Sequence, residues 1–167
     1  LHGLTRLFLY LYQASIWTQA RVVLRQAITR LIPLLTIYLV EDSPVIRENL
    51  IATLEELVPV HVVGSAADEA TAVRWLSEPS HRVDLVIVDI FLQAGSGLGV
   101  LRAVEALPQP GRMVVLSNFA TAVMRRECLA LGADRVFDKS NEIDALIAYC
   151  AALADGECTA GTPADTA

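Results

Sequence analysis

Lys139 is the only lysine in the chain, and it closes the apolar run Arg135-Val136-Phe137-Asp138. Two other apolar runs end in acid: Thr36-Ile37-Tyr38-Leu39-Val40 stops at Glu41-Asp42, and Leu85-Val86-Ile87-Val88 stops at Asp89. A fourth, Met113-Val114-Val115-Leu116, stops at the hydroxyl of Ser117. If these runs are parallel strands, their carboxyl ends face one edge, where open α/β sheets place ligands. Carboxylates, a hydroxyl and one ammonium converging there suit a metal ion and a phosphoryl group.

The elements that must position these groups follow from periodicity. From residue 36 onward, buried strands alternate with amphipathic helices. Strands are expected at 36–40, 60–63, 84–88, 113–116 and 135–139. Ser43-Pro44 supplies an N-cap and a proline at the first helical position. The helix that follows carries Ile46, Leu50, Leu54 and Leu57 at near-helical spacing. Further helices are expected near 67–77, 98–107, 121–131 and 141–154, with Gly132 as the C-cap of the fourth. Gln93-Ala94-Gly95-Ser96-Gly97 is expected as a loop, Gly95-Ser96-Gly97-Leu98-Gly99 as a flexible stretch of it beside the acid pocket, and His61 as a packed strand residue. Five βα units in a row imply right-handed crossovers and a parallel sheet. The all-apolar third strand is best placed centrally, covered on both faces.

Composition narrows the function classes. The chain has 167 residues, of which 54% are hydrophobic, enough for one domain with a core on both sheet faces plus extra tails. Residues 1–40 hold four arginines and no acid, so the remainder carries nine basic and nineteen acidic residues, a balance of −10. A domain that acidic has no electrostatic footprint for nucleic acid. Cys128, Cys150 and Cys158 are widely spaced with no C-x-x-C, which reads as reduced thiols in a cytosol.

In order and at strand ends, these features resemble the receiver domain of two-component response regulators over residues 35–154. They are Glu41-Asp42 after strand one, Asp89 after strand three, Gly97 eight residues later, Ser117 after strand four, Gly132-Ala133 before strand five, and Lys139 at its end. The resemblance implies an α/β fold of the flavodoxin-like kind, a doubly wound five-stranded parallel sheet in the order 2-1-3-4-5. It implies that Asp89 is the phosphoacceptor, since a carboxylate can take a phosphoryl group as an aspartyl phosphate. Clustered carboxylates attract a hard divalent cation, and Mg²⁺ takes oxygen ligands while keeping waters. Asp42 and Asp89 are the expected direct ligands and Glu41 is expected to act through water. The resemblance adds the backbone carbonyl of Phe91. Mg²⁺ and Lys139 would neutralise the phosphoryl oxygens, and Ser117 would donate to one of them. The implied donor is a phosphohistidine on a sensor histidine kinase or phosphotransfer protein, and the chain itself is expected to be no enzyme beyond this self-catalysed transfer and autodephosphorylation.

Three positions depart from the family pattern. Val136 stands where a Tyr or Phe switch residue is usual, with Phe137 beside it on the other face. Ser140 follows the lysine where proline in a cis bond is frequent; a non-proline cis bond costs about 3–4 kcal/mol, so a trans turn is expected. Asn118 follows the serine where a smaller residue is common, and would crowd the hydrolytic water. Other catalytic classes fail on sequence. A haloacid-dehalogenase-type phosphatase needs a second acid at Phe91, and Gly95-Ser96-Gly97-Leu98-Gly99 is neither G-x-S-x-G nor G-x-G-x-x-G.

The expected organisation is an extension over 1–34, a receiver over 35–154 and a disordered tail over 155–167. The extension reads either as a translation start placed too far upstream or as a loose segment with a basic amphipathic helix over 20–32. Membrane contact by it is not expected, and the location is expected to be cytoplasmic. With about thirteen residues after the last helix, the reading is a stand-alone receiver. Its output would pass to an unknown downstream protein, or through a homodimer using helix four, strand five and helix five. Arg125, Arg126, Val136 and Phe137 are the candidate output residues. The alternative is a phosphate sink or phosphorelay intermediate with no output partner.

Overall fold

The computed structural model describes residues 34–107 and 111–156. The expectations for the N-terminal extension and for the tail beyond 156 lie outside these residues. Among the described residues five strands and five helices alternate: β1 (Leu35–Val40), α1 (Pro44–Leu57), β2 (Val60–Ala66), α2 (Glu69–Leu76), β3 (Leu85–Val88), α3 (Gly97–Glu105), β4 (Arg112–Ser117), α4 (Ala122–Ala130), β5 (Arg135–Asp138) and α5 (Ile143–Ala154). The strands form one parallel sheet in the order β2-β1-β3-β4-β5, with β3 central.

Strand alternation divides the core in two. Tyr38, Val40, Val86, Val88, Met113, Val115 and Val136 face α2, α3 and α4, which contribute Ala72, Leu76, Val100, Leu101, Val104 and Cys128. Ile37, Leu39, Leu85, Ile87, Val114, Leu116 and Phe137 face α1 and α5, which contribute Leu50, Leu54, Leu146, Tyr149 and Cys150. The two described cysteines are free and buried. Val136 and Phe137 therefore lie on opposite faces, as alternation requires.

β2 runs three residues beyond its expected end, through Gly64-Ser65-Ala66, because its pairing with β1 shifts register between Ile37 and Tyr38. Tyr38 stacks on Trp75 with ring centroids 4.0 Å apart, and a Cβ at Gly64 would stand 2.9 Å from the Tyr38 ring. The glycine that looks like a strand breaker is thus the residue that lets an aromatic ring lie across the bulge. Burial pushes the Tyr38 phenol up to about 12, with the Asp68 charge adding to the shift. His61 is a correction to the sequence reading. It projects from edge strand β2 with its side chain 62% exposed, and its Nδ1 lies 3.2 Å from Glu55 Oε1.

Helix starts are set by local chemistry. Ser43, Asp68, Ser96 and Thr121 cap α1 to α4 through their side-chain oxygens. Gly132 closes α4 at φ +85°. No helix among the described residues is long and apolar enough to cross a membrane. The two-sided core makes Leu54, fully buried on α1, a test of packing. Leu54→Ala should lower unfolding free energy by about 2–5 kcal/mol, whereas Leu57→Ala, at a position 56% exposed, should change it by about 0.5 kcal/mol or less, both read by urea titration.

Candidate functional site

The register of β1, β3, β4 and β5 brings the strand-end residues together. Val40 pairs with Val88, which sets Glu41 and Asp89 side by side, and the Asp89 N–H donates to the Val40 carbonyl at 2.9 Å. Ser117 pairs with Asp138, and the Lys139 N–H donates to the Ser117 carbonyl at 3.2 Å. From the far strand the Lys139 ammonium reaches across the sheet edge. It donates to Glu41 Oε2 at 2.5 Å and to Asp89 Oδ2 at 2.6 Å.

All three partners are enclosed, with side chains 9%, 2% and 11% exposed for Lys139, Glu41 and Asp89. Ions that far from water are tolerated only when paired. Burial alone would pull the Lys139 pKa down, but the bonds and charges of Asp89 and Glu41 outweigh it and hold the ammonium above its usual 10.5.

The remaining carboxylate oxygens are oriented as well. Glu41 Oε1 accepts from the Ser43 N–H at 3.1 Å, and Asp89 Oδ1 from the Phe91 N–H at 3.4 Å. Ligand atoms of Glu41, Asp42 and Asp89 lie within 4.8 Å of one another. Three carboxylates against one ammonium leave two negative charges uncompensated, and every donor is oxygen. That set fits a hard divalent cation. Ser117 Oγ is fully enclosed and has no hydrogen-bond partner among the described residues. A buried hydroxyl is ordinarily satisfied, so this one is free to bond a group that enters the pocket.

Phe91, the expected carbonyl ligand, belongs to a segment that is pinned rather than loose. Phe91 bridges to Ser96, and a Cβ at Gly97 would stand 2.1 Å from the Asp89 carbonyl oxygen. Only glycine allows that approach. Glu69 of α2 adds a second anchor, accepting from the Ser96 N–H at 2.7 Å while its own N–H donates to the Ala94 carbonyl. Sequence reasoning missed Glu69, whose signal was the pair Gly95 and Gly99, both needed to admit its carboxylate. It also missed the Phe91 and Phe119 rings, each more than half exposed, which meet at 4.6 Å two residues beyond Asp89 and Ser117.

Three of the four candidate output residues are placed differently from expectation. Val136 and Phe137 are 7% and 5% exposed, packed against helices on either face of the sheet, so neither offers a contact surface. Arg125 is turned inward and bonded to Ala120, Val136 and Glu142, while Arg126 is exposed. No described peptide bond is cis, so the turn after Lys139 is trans, as Ser140 implied.

Residues 37–151 match the response regulator receiver domain. The chain belongs to the response regulator receiver family. It is 33% identical over 122 residues to a probable transcriptional regulatory protein of Picosynechococcus sp., covering 70% of this chain and 48% of that one. The chain spans about half the length of the first curated relatives it matches. The receiver domain of the putative response regulator NarL from Mycobacterium tuberculosis has a TM-score of 0.65 at 24% identity, over 74% of this chain and 98% of that one. A Burkholderia pseudomallei response regulator, solved with a phosphorylated aspartic acid and a calcium ion, gives 0.59 at 20% identity, over 72% and 69%. At these identities the structural likeness establishes the receiver fold.

Two outcomes follow from the geometry. Ser117→Ala should leave the unphosphorylated receiver as stable or more stable, by up to about 1 kcal/mol, because it deletes an unsatisfied buried hydroxyl. Lys139, raised above its unfolded value, stabilises the fold fully below about pH 10.4, and that contribution is lost as pH rises through the folded pKa. The stability gap between the wild type and Lys139→Gln, followed by denaturation from pH 7 upward, should therefore hold to about pH 10 and narrow above about 10.5.

Proposed function

We propose that this receiver is a phosphorylation-activated signalling switch in which Asp89 accepts a phosphoryl group from a phosphohistidine of a sensor histidine kinase or phosphotransfer protein. The observation that carries the reading is the enclosed Lys139–Asp89–Glu41 cluster beside an unpartnered Ser117 hydroxyl. An Asp89 carboxylate oxygen bonds to phosphorus as the phosphorus–nitrogen bond breaks. The imidazole leaves with the bonding electrons and takes up a proton, so the chain supplies nucleophile and charge but no redox partner. Lys139, already on Asp89, faces the arriving oxygens, and Ser117 donates its hydroxyl proton to one of them.

The carboxylates of Glu41, Asp42 and Asp89, with the Phe91 carbonyl, are the residues that would hold Mg²⁺. When bound, the ion supplies positive charge to the phosphoryl oxygens. Drawing Ser117 inward pulls the Asn118-Phe119-Ala120 segment that leads into α4. Exposed Phe119, with Val123 and Arg126 on α4, makes that segment and the helix a surface able to report the change to another protein. Asn118, also exposed, stands beside Ser117 where it can obstruct a hydrolytic water.

Intact mass after incubation with Mg²⁺ and a small-molecule phosphodonor tests the reading. One phosphoryl adduct is expected, absent from Asp89→Asn and absent without divalent cation. Lys139→Met should slow its appearance by about 10²-fold, the usual effect of removing one charge-stabilising donor. An adduct that persists in Asp89→Asn would overturn the assignment of the acceptor.

A further inference from the structure

We propose that Arg125 and Glu142 form a positioning pair that sets Lys139 in the site, tying α4 to the β5 carboxyl end. The role rests on the reading of Lys139 given above. A guanidinium has several donors in a rigid fork, and here each branch goes to a different segment. Arg125 Nε donates to the Ala120 carbonyl at 3.0 Å, Nη1 to the Val136 carbonyl, and Nη2 to Glu142 Oε2 at 2.5 Å. Ala120 lies three residues beyond Ser117, while Val136 and Glu142 lie three before and three after Lys139.

The same Glu142 oxygen accepts from the Asp138 N–H at 2.6 Å. Asp138 answers through the turn: its Oδ1 accepts from the Ser140 N–H at 2.7 Å, and its carbonyl from the Glu142 N–H at 2.8 Å. Lys139 is thus enclosed by a ring of bonds that Arg125 closes. No proline stiffens this turn, so these bonds, with that of the Lys139 N–H to the Ser117 carbonyl, fix its path.

Two further observations point to position rather than bulk stability. Glu142 occupies the N-cap of α5 yet makes no side-chain cap bond, its carboxylate being committed elsewhere. A capping bond is ordinarily worth about 1 kcal/mol to a helix. Arg125 and Glu142 are also about one-third exposed, where an ion pair contributes at most about 1 kcal/mol. The Arg125 and Asp138 hydrogen bonds hold the Glu142 carboxyl below its usual range.

Because the chain has one lysine, ¹³C-lysine labelling gives a single side-chain Cε–Hε resonance, and that resonance reports where Lys139 sits. It is to be recorded in metal-free, unphosphorylated wild type, Arg125→Gln, Glu142→Gln and the double variant, with Arg126→Gln as control. The proposal expects Arg125→Gln and Glu142→Gln to move the resonance to similar new positions and Arg126→Gln to leave it in place. Labelling by the phosphodonor should slow about tenfold in each single variant and no further in the double. A resonance unmoved in folded Glu142→Gln overturns the proposal even if the melting temperature falls, as do labelling effects that multiply in the double variant. If Arg125→Gln does not fold, Glu142→Gln decides alone, since it keeps an oxygen for the Asp138 N–H. Should the wild type take no phosphoryl group, the proposed function fails, while the resonance still reports whether the pair holds Lys139.

Discussion

The structure turns on one ammonium held between two enclosed carboxylates. Two enclosed carboxylates side by side away from water need a counter-charge, and Lys139 supplies it from the end of β5, two places from β3 and three from β1 in the sheet. That contact depends on the register of β1, β3, β4 and β5. A slip of one residue would reverse the side-chain faces and carry the strand ends out of reach of one another. Two cores on opposite faces of the sheet hold that register.

Around this centre the chain spends glycine and side-chain hydrogen bonds on loops. Gly97 lets α3 begin against the Asp89 carbonyl, and Gly95 and Gly99 admit the Glu69 carboxylate that pins the same loop. On the other side, Arg125 and Glu142 brace the turn after Lys139. The cluster is therefore held from α2 on one flank and from α4 and α5 on the other. A charge change at Asp89 would meet elements already bonded to the site. Interfaces of this kind shift between discrete arrangements rather than deform smoothly.

The strand-end residues were legible because parallel strands bury continuous apolar runs and end abruptly at polar residues. Leu85 to Val88 followed by Asp89 and Met113 to Leu116 followed by Ser117 read off directly, and strand order followed from five βα units and the family resemblance. Element ends were less legible. Gly64 concealed the last three residues of β2, since a glycine inside a strand signals either a break or a close approach, and only Tyr38 lying over it decides which. His61 looked packed because strand position says nothing of being on an edge.

Composition and spacing alone determined that acids, a hydroxyl and one lysine stand at strand ends, because covalent order and the strand period fix which residue ends each run. Tertiary structure decided what those groups touch. That Lys139 bridges Glu41 and Asp89, that Ser117 is left without a partner, and that Val136 and Phe137 are buried while Arg125 turns inward all depend on distances between segments far apart in sequence. Such distances come from how helices pack on the two sheet faces, and side-chain charge and hydropathy at single positions do not carry that information.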